Sequence, residues 1–332
     1  MDFAELAALA GGHAEARAIQ TALKLRVFDV LERAALDADA LARATGTNRR
    51  AVAILADAMV SLGLLEKRER RYDLTAVSRQ FMLKSSAEYL GGMILFDEAI
   101  FEMWAHLDQT IQTGAPARRL DMFQSRAEET ERFIRAMDSL TRARGDPLYV
   151  AEHLDLSRVS KVADVGGGPG TYTAAMLRRW PHLRAAIYDL PATLEVARRI
   201  LAEREPRVSE RIDLVRVDYL YDEIPGPCGA LFMSNIIHNE DETTNSELFR
   251  KCFRALEPGG LMIIKDHIMN TELTAPRSGA IFALYLLLTT RGRDYSFDEV
   301  SQWLGDAGFV DIRLETLPSP PFTSSMVLAR KP

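Results

Sequence analysis

Asp164, Gly166, Gly168 and Gly170 alternate along a short stretch that follows the apolar run Val162-Ala-Asp-Val165. Glycine has no Cβ, so a chain built this way turns tightly, tolerates positive φ and lets its backbone approach a ligand closely. The spacing narrows the choice of ligand. A dinucleotide fingerprint, G-x-G-x-x-G/A, would need a small residue at position 171, where Thr171 stands, and there is no G-x-x-x-x-G-K-[ST] phosphate loop. Asp189 lies 19 residues after Gly170, at the end of a second apolar run, where a carboxylate can accept from both hydroxyls of a ribose. Asp218 closes a third run. A glycine turn, a ribose acid and a further acid suit a nucleoside without phosphates. S-adenosylmethionine is such a molecule, and its sulfonium charge suits an acidic, partly dry pocket. Tight turns alone also use glycines, so the turn by itself is a weak signal. His238 follows the apolar run of residues 230–237 and should emerge at the same edge. An imidazole near pKa 6.5 at such an edge can act as a general base. Strand-end histidines also serve only to satisfy local hydrogen bonds.

The elements that must hold these residues alternate strand and helix. Residues 162–165, 185–188, 212–217, 230–237 and 261–265 read as buried strands; 172–179, 194–202 and 240–256 read as helices, with a turn at Pro258-Gly-Gly260. This alternation predicts an α/β, Rossmann-like, doubly wound parallel sheet with helices on both faces. Ligands in such sheets bind beyond the carboxyl ends of the strands, where strand order reverses.

The first hundred residues have a different texture. Ala16, Ile19, Ala22, Leu23, Val27, Val30 and Leu31 form one long apolar helical face. Residues 37–46 form a short helix stopped by Gly46, and Thr47 is placed to cap a third helix ending near Ser61. Residues 64–67 and 72–74 suggest a hairpin, completing a winged-helix-like module. Residues 1–100 hold 13 Lys+Arg against 14 Asp+Glu, without the basic excess of a nucleic-acid domain. Arg49, Arg50 and the run Lys67-Arg-Glu-Arg-Arg71 therefore read as solvated surface, and a ligand-sensing DNA regulator is the more remote alternative. Further helices fill residues 90–153. The expected domains are 1–100, a helical linker with pocket helices over 101–157, and 158–332.

The whole chain, 332 residues with a net charge of −6, is long enough for two domains and too acidic for general affinity to nucleic acid or anionic membranes. Its longest apolar stretch, residues 280–288, falls well short of the roughly 20 residues needed to cross a bilayer. With no basic leader and only Cys228 and Cys252, lacking CxxC spacing, a cytoplasmic protein without a zinc site is expected.

Taken in order, residues 162–170, Asp189-Leu-Pro191, Val217-Asp-Tyr219, Asn235-Ile-Ile-His238 with Glu240-Asp-Glu242, Leu256-Glu-Pro-Gly-Gly260 and Asp306-Ala-Gly-Phe309 resemble the class I S-adenosylmethionine-dependent O-methyltransferases of the caffeate, acetylserotonin and bacterial natural-product type. The resemblance covers nearly the whole chain. It implies that Asp164, Gly166, Gly168 and Gly170 wrap the methionine part of the cofactor and that Asp189 holds its ribose. Leu190 would border the adenine, Asp218 and Tyr219 would hold its far end, and Ser234 would touch the cofactor. It also implies that the N-terminal, all-helical winged-helix-like domain dimerises, giving a homodimer.

By the same resemblance His238 is the general base, and Asp266 and Asp294 stand where two acidic residues orient it. Plant members carry Glu at both places, so each carboxylate here is one methylene shorter. A helix cap or loop turn is the alternative for Asp294. Asn239 stands where the family commonly has Asp, as a substrate contact or a cap. No covalent intermediate is needed, and no metal is expected. A planar aromatic or polyketide-like acceptor would meet Phe133, Met137, Phe282 and Tyr285, while Arg291 and Arg293 read as loop arginines. Methylation of carbon, or a decarboxylation, hydroxylation or cyclisation on the same scaffold, is the nearer alternative.

Overall fold

The computed structural model describes residues 1–116, 123–317 and 325–332. They form two compact units, Met1–Ile100 and Phe101–Pro332.

In the first unit, α1 (Phe3–Lys24) opens with an Asp2/Glu5 capping box, and α2 (Val27–Leu31), β1 (Leu36–Asp37), α3 (Ala38–Thr45) and α4 (Arg49–Ser61) follow. Then come β2 (Leu65–Arg68), β3 (Arg71–Leu74) and α5 (Ala76–Phe81), and α6 (Gly91–Trp104) crosses the division. The expected single helix over residues 16–31 is two, because Arg26 adopts φ 60 and breaks the hydrogen-bond ladder. Both pieces still bury one face, through Ala22, Leu23, Val27, Phe28 and Leu31. Asn48, not Thr47, caps α4, accepting from the Ala51 amide at 3.1 Å. The unit is not wholly helical: β1 joins the hairpin as a third strand, in the order β1-β3-β2. Several of its basic residues are neutralised locally, Arg49 by Asp39 at 2.7 Å, Lys67 by Asp57 at 2.6 Å and Arg68 by Glu66 at 2.7 Å.

The second unit opens with α7 (Leu107–Thr113), α8 (Ala127–Arg144) and α9 (Asp146–His153), then winds β4 (Lys161–Val165), α10 (Thr171–Arg179), β5 (Arg184–Asp189), α11 (Pro191–Arg204), α12 (Pro206–Ser209), β6 (Ile212–Arg216), β7 (Cys228–Ser234), α13 (Glu242–Ala255) and β8 (Leu256–Asp266). It closes with β9 (Ile268–Met269), α14 (Arg277–Thr289), β10 (Tyr295–Ser296), α15 (Phe297–Asp306), β11 (Val310–Thr316) and β12 (Ser325–Arg330). The seven-stranded sheet has the order β11-β12-β8-β7-β4-β5-β6, with β4 to β8 parallel and β12 antiparallel to both its neighbours. Strand order reverses between β4 and β7, so the carboxyl ends of β4, β5, β7 and β8 line one edge at the switch point.

Successive residues of a strand bury opposite ways. In β7, Leu231 and Met233 join the core with Phe249 and Trp303, while Ala230 and Phe232 join Met176 and Leu177 on the other face. Strand β7 stops at Ser234, three residues earlier than its apolar run suggests. Asn235 takes φ 57, a left-handed conformation that Asn tolerates well, and Ile237–Asn239 form a 3₁₀ turn.

The same alternation sends Lys265 and Asp266 of β8 to opposite faces. Lys265 is wholly buried, its Nζ 2.9 Å from the equally buried Asp146 carboxylate at the start of α9 and 5.2 Å from the Tyr172 ring centroid. The Tyr172 hydroxyl donates to the same Asp146 oxygen at 2.7 Å, and burial pushes Lys265 down to about 8. Removing one member of such a pair strands a charge out of water, a loss of about 3–5 kcal/mol. Lys265→Ala should lower the unfolding free energy by about that much in urea titrations, and an unmoved midpoint would show that the pair contributes nothing.

Candidate active site

At the switch point the chain leaves β4 through Gly166 (φ 66), Gly168 (φ 53) and Gly170 (φ 77), conformations that a side chain strains. Two of the three are also sterically required. A Cβ on Gly166 would lie 2.2 Å from Ile236 Cδ1, and one on Gly170 2.8 Å from Ile187 Cδ1. Gly168 is different: nothing stands within 4 Å of the place a Cβ would take, so its backbone borders open space. The Gly168 amide donates to Asp189 Oδ2 at 2.8 Å and the Leu190 amide to Asp189 Oδ1 at 2.7 Å. Those bonds fix a carboxylate whose oxygens keep further acceptor capacity. Burial raises Asp189 to about 6 against the pull of these amides, and raises Asp164 to about 7 although Thr173 donates to it.

Around this turn the remaining residues expected to meet a cofactor take distinct places. Leu190 caps α11 in an extended conformation, and Ser234 closes β7 with Asn235 Nδ2 3.2 Å from its hydroxyl. Asp218 organises the turn after β6, accepting from the Leu220 amide at 3.1 Å. The Tyr219 hydroxyl is turned inward, donating to Glu240 Oε1 at 3.0 Å.

On the other side of the same edge His238 sits in the 3₁₀ turn, its Nδ1 2.6 Å from Asp266 Oδ1. Both side chains are buried. Because the carboxylate can only accept, Nδ1 carries the proton and Nε2 keeps its lone pair. Burial opposes a charged imidazole, yet the Asp266 carboxylate outweighs it, and His238 titrates above its ordinary value. Burial likewise opposes a charged Asp266, but His238 holds it below the usual carboxylate range, and the His267 amide adds a bond at 2.8 Å. The Phe282 ring lies 5.2 Å from the imidazole, edge to face, and stacks on Tyr285 at 5.5 Å and on His267 at 5.0 Å.

Asp294 joins this cluster in an unexpected way. One ligand-type atom each of His238, Asp266 and Asp294 lie within 4.8 Å of one another, but the hydrogen bond to the imidazole comes from Asp266 alone. Among the described residues neither carboxylate oxygen of Asp294 has a hydrogen-bond partner, and burial raises the group to about 7. It caps no helix either, since Ser296 and Glu299 form the capping box of α15.

The other expected residues have contacts of their own. Phe133 stacks on Phe123 at 4.6 Å and packs against Ile134, Val196 and Ile200. Met137, half-buried on the same helix α8, precedes Asp138, which accepts from Thr171 at the start of α10 at 2.8 Å. Asn239 donates to the Asn235 carbonyl at 3.2 Å, and Asp241, not Asn239, caps α13. Arg291 and Arg293 are engaged, by Glu240 at 3.1 Å and Glu299 at 2.5 Å.

Two features were missed. Glu240 is buried between Tyr219 and Arg291, and its carbonyl accepts from Tyr295 at 2.6 Å, so one residue ties the turn after β6 to the segment carrying Asp294. Gly292 lies against the His238 turn so closely that a Cβ would meet the His238 carbonyl at 2.3 Å. The charged, helix-like texture of residues 240–242 hid the first; a lone glycine between two arginines was the only signal for the second.

Comparison with known proteins bears on the family and the fold. The model of an O-methyltransferase domain matches residues 104–310, and that of an O-methyltransferase dimerisation domain matches residues 7–84. A 3-hydroxy-5-methyl-1-naphthoate 3-O-methyltransferase of Streptomyces sahachiroi is 29% identical over 94% of this chain and 91% of its own length. The tetracenomycin polyketide synthesis 8-O-methyl transferase TcmO of Streptomyces glaucescens is 28% identical over 95% and 93%. The crystal structure of human N-acetylserotonin methyltransferase in complex with SAM has the same fold, with a TM-score of 0.88 at 22% identity over 100% of this chain and 98% of that one.

The raised titration of His238 depends on one neighbour. In Asp266→Asn the charge that favours the imidazolium is gone while burial remains, so the group should titrate below its ordinary value instead of above it. Following the ring protons by NMR across pH 4–9 checks this; an unchanged midpoint would mean that Asp266 does not set the imidazole's charge.

Proposed function

The chain belongs to the O-methyltransferase family, and on that premise we propose that it moves a methyl group from S-adenosylmethionine to a hydroxyl of an aromatic or polyketide-like small molecule, with His238 as general base and without a metal ion. The observation that carries the proposal is the buried bond from His238 Nδ1 to Asp266 Oδ1, which leaves Nε2 as a lone-pair acceptor.

The glycine turn fits the donor. Its backbone is open at Gly168, where a side chain would fill the space a ligand takes, and Asp189 is held by two amides with capacity left for ribose hydroxyls. Asp164, Gly166 and Gly170 shape the turn; Leu190, Asp218, Tyr219 and Ser234 complete the donor side. When bound, the donor supplies a methyl carbon made electrophilic by a positively charged sulfur. The chain's own contribution is acid–base and positional. His238 accepts the acceptor's hydroxyl proton at Nε2 as the oxygen attacks, and Asp266 stabilises the imidazolium that results. Phe282 and Tyr285 present apolar ring surface next to that nitrogen, with Met137, Phe133 and Asn239 as further candidates for the acceptor wall. Fixing the oxygen against the donor supplies the rest of the acceleration.

A metal bound by His238 would occupy the lone pair that a base needs, and one oxygen of Asp266 already accepts from both the imidazole and the His267 amide. A metal-free mechanism follows. The relatives' acceptors, a naphthoate and a polyketide by name, support the substrate class. We further propose a cytoplasmic homodimer formed through residues 1–100, with residues 101–157 as linker and pocket helices and 158–332 as the catalytic domain. Among the described residues no helix is long and apolar enough to cross a membrane.

Incubation with methyl-labelled S-adenosylmethionine and a panel of hydroxylated arenes, read by mass spectrometry, should show the gain of one methyl group. His238→Ala should lower kcat by about 10²–10⁴-fold while calorimetric affinity for S-adenosylhomocysteine stays within about threefold. A mutant of undiminished rate would remove His238 from the chemistry. Dialysis against a chelator should leave turnover unchanged, and loss restored by Mg²⁺ would contradict the metal-free mechanism.

A further inference from the structure

Buried carboxyl groups are normally hydrogen-bonded, and Asp294 is a clear exception: it is 3% exposed and, among the described residues, both its oxygens lack a partner. The segment that carries it is nevertheless tightly held. Gly292 lies on the His238 turn, Arg291 pairs with Glu240, the Tyr295 hydroxyl donates to the Glu240 carbonyl, and Ser296 caps α15. From the other side α14 approaches at Gly279, where a Cβ would lie 3.4 Å from Asp294 Oδ2 and 2.5 Å from Met269 Sδ. A rigid frame thus holds an unsatisfied carboxyl beside an imidazole whose Nδ1 another acid has already taken.

We propose that Asp294 determines acceptor specificity: as a neutral acid it donates a hydrogen bond to a second oxygen on the acceptor, ortho or peri to the hydroxyl that His238 deprotonates. The acceptor class is then a hydroxyarene with a neighbouring carbonyl or hydroxyl oxygen rather than an isolated phenol. This rests on the O-methyltransferase reading with His238 as base.

The chemistry favours it. One nitrogen of His238 and one oxygen of Asp294 fall within the same 4.8 Å cluster, and ortho or peri oxygens lie at hydrogen-bonding distance from each other, so both can be served at once. In a hydroxyarene with a peri carbonyl, the hydroxyl proton is tied up in an internal bond to that carbonyl. A donor on the carbonyl compensates for the internal bond as the proton moves to the imidazole. Asp294 can be that donor only while protonated. Burial favours the neutral acid, and so does the nearby Asp266 carboxylate, because two like charges this close are unfavourable; His238 acts the opposite way. The other charged side chain on this segment close to it, Arg293, is paired with Glu299. The ionisable residues of α14 are Arg277 and Tyr285.

The test uses two isomers of one skeleton, 1-hydroxyanthraquinone, with its hydroxyl peri to a carbonyl, and 2-hydroxyanthraquinone, with its hydroxyl remote from it. The full-length protein should favour the 1-isomer, measured as kcat/KM and as affinity in the presence of S-adenosylhomocysteine. Asp294→Leu should lower that preference by about 10–100-fold, as expected when a site loses its donor to a substrate oxygen. Asp294→Asn, which keeps an N–H donor, should retain most of it. The preference of the unmodified protein should fall as pH rises through about 7 and should be flat in Asp294→Asn. Equal losses for both isomers in Asp294→Leu, loss of preference in Asp294→Asn, or no binding of the 1-isomer would overturn the proposal. His238→Ala separates the underlying reading: undiminished methylation of both isomers would refute the base, while the affinity ratio still reports on Asp294.

Discussion

The bond between His238 and Asp266 is the constraint on which the rest of the pocket depends, and the sheet register makes it possible. Strands β7 and β8 pair in parallel with Ser234 opposite Lys265, so Asp266 stands one residue beyond that pair at the carboxyl edge. His238 is four residues beyond Ser234 and would lie far past the edge if the strand continued. Asn235 prevents this: its left-handed conformation folds the chain into a 3₁₀ turn that returns the imidazole to the aspartate. The pairing then fixes tautomer and orientation together, and the buried setting strengthens the electrostatics between the two groups.

Around that bond, close backbone approaches tie the two halves of the pocket together. Gly166 lets the glycine turn lie against Ile236, two residues from His238, and Gly292 lets the Asp294 segment lie against the His238 carbonyl. Glu240 adds a charged connection, accepting from Tyr219 on one side and Arg291 on the other. Lys251 reinforces the first of these by donating to the Tyr219 and Leu220 carbonyls at 2.8 and 3.2 Å. The turn after β6 and the segment before α15 thus share one anchor, so a displacement on either side is felt by the His238 turn between them.

Much of this was legible in the chain, for physical reasons that differ by residue. The glycine turn and Asp189 stand out because backbone geometry limits which residues fit there, and buried parallel strands are continuous apolar runs. His238 could be placed near the edge but not oriented, since its orientation depends on a turn at Asn235 masked by the apolar pair Ile236-Ile237. The break at Arg26 left no signal because neither Gly nor Pro marks it, and two-residue β1 is too short for periodicity to reveal. Phe133 stacks on Phe123, ten residues earlier, a contact that composition does not foretell. Glu240 and Gly292 matter through residues 21 to 55 positions away in sequence, which no local pattern encodes.

The two aspartates of the cluster also differ in a way their shared residue type conceals. Asp266 is buried with a hydrogen-bonded imidazole and a backbone amide, and that company lets it remain charged where water is absent. Asp294 is in a similar setting without either. A second anion there would face Asp266 at close range with no donor to offset desolvation, whereas a neutral acid removes the conflict and leaves a proton to offer. His238 and Asp266 together carry little net charge when the imidazole is protonated. With a neutral Asp294 beside that pair the cluster holds no isolated ion. Which of the two carboxyls is held charged and which is pushed toward its neutral form is decided by the partners each one meets at the sheet edge.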